Sequence, residues 1–170
     1  MTQLDKLSVI DKINLEIKCS TIANAGNGLF ALREFAAGEP ITQYCGQMIC
    51  YEKAKKRRRL GTDSHIRMHL MLDWCIDGAR TERGERISDP ITQLSGRGGG
   101  AFVNHKAHKH ANARFDRIDN KKNRDRFDEW RRGESQCRMQ PEDSVTILRA
   151  TKKISAGEEI FADYGKQAIE

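Results

Sequence analysis

The sequence predicts a β-rich α+β fold, in one domain of short strands with few helices. Short runs of alternating or β-branched apolar residues recur along the chain, and turns containing glycine separate them. One stretch, residues 52–60, consists mainly of strong helix formers. Short strands bounded by glycine turns are typical of compact β-rich domains. A chain of 170 residues is long enough to bury a core of its own.

The composition is that of a folded protein with a very polar surface. Apolar residues make up 38% of the chain and there are 14 glycines, which together fall in the ordinary globular range. No apolar run approaches the ~18 residues of a membrane span, and the N-terminal stretch MTQLDKLSVIDKINL has no signal-peptide core. We therefore expect an intracellular protein without membrane contact, in the nucleus or the cytoplasm.

Neither the cysteines nor the histidines predict a metal site. The cysteines have no C-x-x-C spacing, and they are Cys19, Cys45, Cys50, Cys75 and Cys137. An odd number of scattered cysteines favours a reducing compartment, where we expect them to act as small buried apolar residues. His105, His108 and His110 lie close together but have no cysteine or carboxylate nearby, so we interpret them as solvated loop histidines.

Positive charge is concentrated in one region. The net charge is +6, and residues 51–70 hold seven Lys/Arg against Glu52 and Asp63, a net +5. This patch is compatible with a nucleic acid, an acidic protein surface or a nuclear import receptor as partner, and equally with a solvated helix face. A second charge-dense stretch, residues 116–142, is nearly neutral, and we interpret it as a surface insertion or loop.

The first half of the chain shows strands, a turn and a helix. Ile13, Leu15 and Ile17 alternate with polar residues and predict a half-buried strand. The Asn- and Gly-rich stretch 23–28 predicts a turn, because both residues tolerate positive φ. An apolar run resumes at residues 29–32. Residues 40–46 are typical of a short strand that ends in glycine.

The second half continues the same pattern. Residues 75–78 indicate the end of a strand followed by a turn, and residues 79–99 a loop. Phe102 and Val103 form a short buried piece. Residues 145–150 are β-branched and predict another strand, and Ile160-Phe161 forms a last apolar run near the C-terminus.

Three short stretches carry the functional information. Residues 26–31 contain Gly26-x-Gly28, which lacks the third glycine of a dinucleotide-binding loop and is otherwise a hairpin turn. Residues 100–105 end an apolar run on Asn-His, directly after a glycine cluster. Residues 157–165 end an apolar strand on Asp-Tyr. By itself, a tyrosine at the end of a strand indicates half-buried packing.

Taken in order and spacing, these stretches resemble the SET-domain protein lysine methyltransferases. The resemblance implies small curved β-sheets around a C-terminal pseudoknot, in which the last strand threads beneath a loop. It divides the chain into a leader (1–12), a SET domain (13–165) and a tail (166–170). Within the domain it leaves a basic inserted subregion (51–78) and the unmatched insertion (116–142).

The resemblance also implies S-adenosylmethionine as cofactor. A Gly-x-Gly turn in the family holds the methionine part of the cofactor through backbone groups, Asn104 would hydrogen-bond it, and His105 would pack at its adenine side. The implied cofactor-binding residues are Gly26, Asn27, Gly28, Leu29, Phe102, Asn104, His105 and Tyr164.

Tyr164 and Tyr44 are the implied catalytic residues. Tyr164 would be the central one, and Tyr44 would line the channel that admits the lysine. Two phenols could offer π faces to a cation and oxygens to a polarised methyl group. The expected substrate is a protein that presents a lysine, with a histone tail as one candidate. Asp163 is expected to brace the strands rather than act as a base.

The chain departs from the family's pattern at several positions. Lys106 and Ala107 replace Ser and Cys after Asn-His, Ala111 replaces Pro, and Ala101 replaces Arg. Ala162 is small where many members carry Phe or Tyr, which leaves the number of methyl groups added open. No cysteine follows Tyr164, so a zinc-bound C-terminal flap is not expected. These departures keep two alternatives open: a catalytically inactive SET-like module that binds chromatin or nucleic acid, and a plain nucleic-acid-binding protein.

Overall fold

A computed structural model describes residues 14–61, 66–68, 74–80, 84, 86, 99–107, 109–119 and 144–164. The predicted leader, the tail, and most of the predicted loop and insertion lie outside these residues. Within them the chain forms ten strands, one α-helix and one 3-10 helix. The helices are α1 (Tyr51–Arg59) and η1 (Gly100–Phe102). The strands are β1 (Leu15–Cys19), β2 (Asn27–Ala31), β3 (Pro40–Gln43), β4 (Gln47–Cys50), β5 (Ile66–Met68), β6 (Trp74–Asp77), β7 (Asn104–His105), β8 (Ala113–Asp119), β9 (Ser144–Ala150) and β10 (Glu159–Ala162).

The described strands form two sheets, as expected for the predicted β-rich fold. The larger sheet has the order β1-β2-β10-β8-β9-β3, and β7 also pairs with β10. The smaller sheet has the order β4-β6-β5. Strand β10 therefore lies against β2, β7 and β8, which come from three distant parts of the chain. The last described strand is thus surrounded by earlier ones.

Strands β1 and β2 form the predicted N-terminal hairpin. Leu15 pairs with Ala31 and Cys19 with Asn27. Leu15 is buried and Ile17 is half-buried, as the alternation predicts; Ile13 lies outside the described residues. The turn closes through the Ser20 N–H, which donates to the carbonyl of Gly26 over 2.8 Å.

Strand β8, which was not predicted from the sequence, includes the start of the predicted insertion. Residues 116–119 continue β8 and pair antiparallel with residues 144–147 of β9. The carboxylate of Asp116 accepts from Nε of Arg149 over 3.0 Å, so part of the local charge stabilises the hairpin. The first four residues of the predicted insertion are thus strand, and residues 120–142 lie outside the described part.

Helix α1 packs on the smaller sheet through a narrow contact. Ala54 is the helix's buried residue, and it forms a small cluster with Ile49 and Cys75. The Gly61 N–H donates to the carbonyl of Arg58 over 3.0 Å, and Gly61 has φ +66°. A left-handed glycine just beyond the last turn is a common helix end.

The expectation that the cysteines are buried is wrong at two positions. Among the described cysteines, Cys75 is buried in the small cluster and Cys45 is half-buried, whereas Cys19 and Cys50 are exposed. Cys19 ends β1 where that strand leaves the core, and Cys50 directly precedes α1.

No helix in the described ranges has the length and apolarity needed to cross a bilayer.

Candidate active site

Strand β10 brings the three predicted stretches together. Phe161 pairs in parallel with Asn104, and Ala162 with His105. Nearer the start of β10, Ile160 pairs with Leu29 of β2. Residues 26–31, 100–105 and 157–164 are therefore neighbours in the fold, although more than 120 positions separate the first stretch from the last.

Asn112 holds β10 in this position. Its side chain is buried and donates to the carbonyl of Glu159 over 2.9 Å, and its Oδ1 accepts from the N–H of Phe161 over 2.7 Å. The Asn112 N–H also donates to the carbonyl of Phe161 over 3.1 Å. An amide side chain that reproduces strand pairing in this way satisfies backbone groups that would otherwise be buried and unpaired.

Tyr164 lies directly beyond β10 and contacts the β7 segment. Its main-chain N–H donates to Nδ1 of His105 over 3.1 Å, and the two rings are 5.2 Å apart between centroids. Its hydroxyl donates to the carbonyl of Val103. Because Nδ1 accepts a hydrogen bond, a neutral His105 carries its proton on Nε2. Both Tyr164 and His105 remain half-exposed.

The Asn104 amide connects β7 to the N-terminal hairpin. Its Nδ2 lies within hydrogen-bond distance of three acceptors: Ser20 Oγ at 3.0 Å, the Asn27 carbonyl at 3.1 Å and Glu159 Oε1 at 3.2 Å. An amide group has two hydrogens, so one of them is shared or alternates between acceptors. The side chain of Asn104 is thereby fixed against the Gly26–Gly28 turn.

Glu159 is the acidic centre of this region, and it was not among the predicted site residues. It is 3% exposed and accepts from Ser20 Oγ over 2.7 Å, from the Thr21 N–H over 2.7 Å and from Thr21 Oγ1. Burial opposes its charge, but the hydrogen bonds from Thr21, Ser20 and Asn104 outweigh burial and lower its pKa from the ordinary 4.5. Glu159 is therefore a charged, fully bonded carboxylate at neutral pH.

The two glycines of the turn are required for different reasons. A Cβ at Gly28 would lie 2.1 Å from Oε1 of Glu159 and 3.2 Å from Nδ2 of Asn104, so a side chain does not fit there. Gly26 has open space around it but φ +71°, which favours glycine. The other predicted cofactor residues differ in exposure: Asn27 is exposed, Phe102 is half-buried, and the side chain of Leu29 is fully buried in the core.

Tyr44 and Tyr164 are connected by a third ring that sequence reasoning missed. Phe115 packs edge-on against Tyr44 with centroids 5.6 Å apart, and its centroid is 6.4 Å from that of Tyr164. These separations are in the range of favourable aromatic pairs. Tyr44 and Phe115 are both buried. The inward alternation of Ala113 and Phe115 in β8 was the available signal, but the charged residues around Phe115 obscured it.

Only some of the side chains in the predicted basic patch are exposed. Arg57 turns inward, where its guanidinium bonds the buried carboxylate of Asp77 and donates to Gln47 Oε1 over 2.9 Å. The other helix cations, Lys53, Lys55, Lys56, Arg58 and Arg59, are exposed. Arg67 belongs to β5.

Comparison with known proteins places this fold in a family. The SET domain family model matches residues 26–165. The chain therefore belongs to the SET-domain family, whose members are generally protein lysine methyltransferases. This confirms the resemblance and the predicted fold class. No curated protein sequence matches the chain.

Solved structures with the same fold include two of Polycomb Repressive Complex 2. One is ctPRC2 in an autoinhibited conformation bound to S-adenosylmethionine, with TM-score 0.58, 19% identity, and coverage of 89% of this chain and 15% of that chain. The other is a humanized mutant of the complex from Chaetomium thermophilum bound to an inhibitor, with TM-score 0.58, 20% identity and the same coverage. The chain spans only 15% of those chains, and at this identity the likeness shows the fold alone.

Proposed function

We propose that the protein transfers a methyl group from S-adenosylmethionine to a lysine side chain of another protein. The observation that carries this proposal is the junction between β7 and the end of β10. There Tyr164 contacts His105 and Val103, one residue to either side of Asn104. The Gly26–Gly28 turn lies against the same asparagine.

The residues at this junction suit such a cofactor. Gly28 lets the backbone of the turn approach Glu159 and Asn104 more closely than a residue with a side chain could, and Asn104 and His105 are both half-exposed. The charged Glu159 adds a negative potential that favours a cation nearby. The backbone at residues 26–28, Asn104 and His105 would hold the cofactor. When bound, it supplies a methyl group on a sulfonium, whose C–S bond breaks as the lysine nitrogen forms its bond to carbon.

The aromatic residues would favour the neutral form of the substrate lysine. A lysine amine must lose its proton before its lone pair can attack, and poorly hydrated surroundings lower the pKa of an amine. The buried rings of Tyr44 and Phe115 provide apolar surroundings beside Tyr164. The proton released by the lysine passes to solvent.

The hydroxyl of Tyr164 is oriented for an electrostatic role. It donates its hydrogen to the carbonyl of Val103, which fixes the direction of the O–H bond, and a hydroxyl oxygen can act as an acceptor as well. An oriented oxygen near the reacting nitrogen and the polarised methyl group stabilises the charge that develops there. Alignment of the two reactants would supply much of the remaining acceleration.

The test is methyl transfer by a pair of tyrosine variants. Wild-type protein should bind S-adenosylmethionine in a calorimeter and move a labelled methyl group to mixed histones or to a protein extract. Tyr164→Phe should lower transfer by about 100-fold or more, the usual effect of losing one oriented polar group. Tyr51→Phe is the matched control, because Tyr51 is 41% exposed at the start of α1. Equal transfer by the two variants would refute the role of Tyr164.

A histone tail is the first substrate to test, and the nucleus is the proposed location. What supports both is the family resemblance, together with solved structures of the same fold from Polycomb Repressive Complex 2. Transfer to histones should then exceed transfer to cytoplasmic proteins at equal lysine concentration. The reverse order would move the proposal to a non-histone substrate.

A second candidate is a SET-like module that no longer methylates. The observation in its favour is that the Asn104 amide and the Tyr164 hydroxyl are both bonded to acceptors of the chain itself. This candidate predicts heat on addition of S-adenosylmethionine without transfer to any protein pool. Transfer that depends on Tyr164 excludes it.

A further inference from the structure

Helix α1 carries most of the chain's net positive charge. Its nine residues contain six Lys/Arg and one acid, Glu52, a net +5 of the chain's +6. Arg57 is bonded to Asp77, which leaves five exposed cations. No described carboxylate lies within ion-pair distance of any of these five.

This arrangement is unfavourable for the isolated fold. Lys55 and Arg59 are one helical turn apart, as are Lys56 and Arg59, and like charges at these spacings destabilise a helix. The helix dipole favours cations in the last turn, which accounts for Arg58 and Arg59. It does not account for Lys53 and Lys55, which lie before that turn. A polyanionic partner would relieve the repulsion.

The chemistry of the exposed face distinguishes between kinds of polyanion. Protein interfaces are depleted in lysine and are built around an apolar centre, whereas the exposed apolar residues of this helix region, Tyr51 and Leu60, lie at its two ends. Binding of single strands uses several aromatic stacking platforms, and Tyr51 is the helix's one aromatic residue. Charge without stacking or apolar anchors matches the phosphate backbone of a duplex.

The dimensions are also compatible with a duplex. A helix of nine residues is about 13 Å long, and duplex DNA carries one charge per ~1.7 Å of axis. About eight phosphate charges would therefore lie alongside the helix, which is enough for each of the five cations to contact one. The Arg57–Asp77 bond ties the inner face of the helix to β6, and the five cations lie on its exposed side.

We propose that helix α1 is a sequence-independent binding surface for double-stranded nucleic acid, formed by Lys53, Lys55, Lys56, Arg58 and Arg59. This surface is separate from the proposed methyltransferase site, and binding does not depend on that function. It would bring the enzyme to substrates that are themselves bound to nucleic acid. The duplex is recognised through its phosphates, without reading of bases.

The test is the salt dependence of binding by the full chain to a labelled DNA duplex of mixed sequence. Five phosphate contacts predict a slope of about −4.5 for log K against log salt, or about a 500-fold loss between 50 and 200 mM salt. Lys53→Gln/Lys55→Gln/Lys56→Gln should reduce the slope to about −1.8 and that loss to about 12-fold. Glutamine keeps helix propensity close to that of lysine, and circular dichroism checks that the helix persists.

The matched control is Lys109→Gln/Lys152→Gln/Lys153→Gln, which removes three exposed lysines outside α1. It should leave the slope at the wild-type value. Equal loss in both triple variants means that net charge alone attracts DNA, and this overturns the proposal. So does tighter binding of a single strand than of the duplex, or displacement of the duplex by polyglutamate at equal charge, which would indicate an acidic protein surface. Tyr164→Phe should bind the duplex as wild type does, so the failure of one proposal is distinguishable from failure of the other.

Discussion

Nδ2 of Asn104 lies 3.2 Å from Oε1 of Glu159, although the two residues are 55 positions apart. The same carboxylate is bonded to Ser20 and Thr21, which precede the Gly26–Gly28 turn. One buried acid thus holds together three segments of the candidate site. The amide group that the proposed function assigns to cofactor binding is oriented by Glu159.

Glu159→Gln should destabilise the protein by about 2 kcal/mol, because hydrogen bonds to a charged group contribute roughly 1.5–3 kcal/mol each and glutamine keeps one acceptor oxygen. The new amide hydrogens would also face the Thr21 N–H, a donor. Urea unfolding measures the change. The control is Glu34→Gln, since Glu34 and its partner Lys153 are 60% and 65% exposed and such pairs contribute about 0–1 kcal/mol. Equal free energies of unfolding for the two variants would contradict the assignment.

The pH dependence of stability should report the ionisation of Glu159. The pKa of Glu159 is lowered in the folded state from 4.5, because burial, which raises it, is outweighed by the bonds from Thr21, Ser20 and Asn104. A lowered pKa contributes stability that is complete above the unfolded value and is lost as pH falls through the folded value. The free-energy difference between wild type and Glu159→Gln should therefore stay constant from pH 7 to about 5 and shrink below about 4.5.

Comparison with the variant isolates this effect. The pKa of Glu39 is lowered too: burial raises it, but bonds from Arg33 and Ala36 prevail. Wild type and Glu159→Gln share that group, so its contribution cancels. A difference that stays constant down to pH 3.5 would mean that Glu159 does not carry its charge as inferred.

Replacing each of the two turn glycines by alanine should have different effects on stability and on cofactor binding. Gly28→Ala would push against Glu159 and Asn104, so we expect a loss of about 1–3 kcal/mol from overpacking together with loss of S-adenosylmethionine binding. Gly26→Ala meets no steric obstacle and should cost about 1–2 kcal/mol from the left-handed backbone alone. Urea unfolding and calorimetric titration report the two effects.

Gly38→Ala is the control for backbone strain. Gly38 has φ +84°, no atom lies within 4 Å of the place that a Cβ would take there, and the residue belongs to the turn before β3. It should match Gly26→Ala in stability and leave cofactor binding unchanged. If Gly28→Ala binds the cofactor as tightly as Gly38→Ala does, the turn is not the cofactor site.

Local features of the fold were predictable from the sequence. The alternation of Leu15 and Ile17 predicts β1, and the helix formers at 52–60 predict α1 to within one residue at each end. Both follow from period and propensity, which act over a few residues. The order of the motifs predicts the family and, with it, the β-rich fold.

The parts that could not be predicted depend on contacts between distant residues. Glu159 was visible only as one of two adjacent acids, and its partners Ser20 and Thr21 are 139 and 138 positions away. The same limit applies to Phe115, whose ring is placed between two tyrosines by sheet pairing. Arg57 was counted with the exposed cations because nothing local indicates that Asp77, 20 positions on, lies beneath it.

The Arg57–Asp77 pair supplies a further prediction. Asp77 is 2% exposed, and besides Arg57 it accepts from the Ala79 N–H over 3.1 Å. Arg57→Ala leaves this buried charge short of its main partner and should cost about 3–5 kcal/mol in urea unfolding. Arg58→Ala, the exposed neighbour on the same helix, should change stability by at most about 0.5 kcal/mol.

A double-mutant cycle separates the pair from its surroundings. If the cost of Arg57→Ala comes from an uncompensated carboxylate, Asp77→Ala should relieve part of it, and the cycle should show a coupling of about 1–3 kcal/mol. Arg80, whose Nε is 3.7 Å from Asp77 Oδ2, compensates only weakly at that distance. Additive effects of the two substitutions would mean that Arg57 stabilises the helix through packing or through Gln47, and that α1 is not held to β6 by charge.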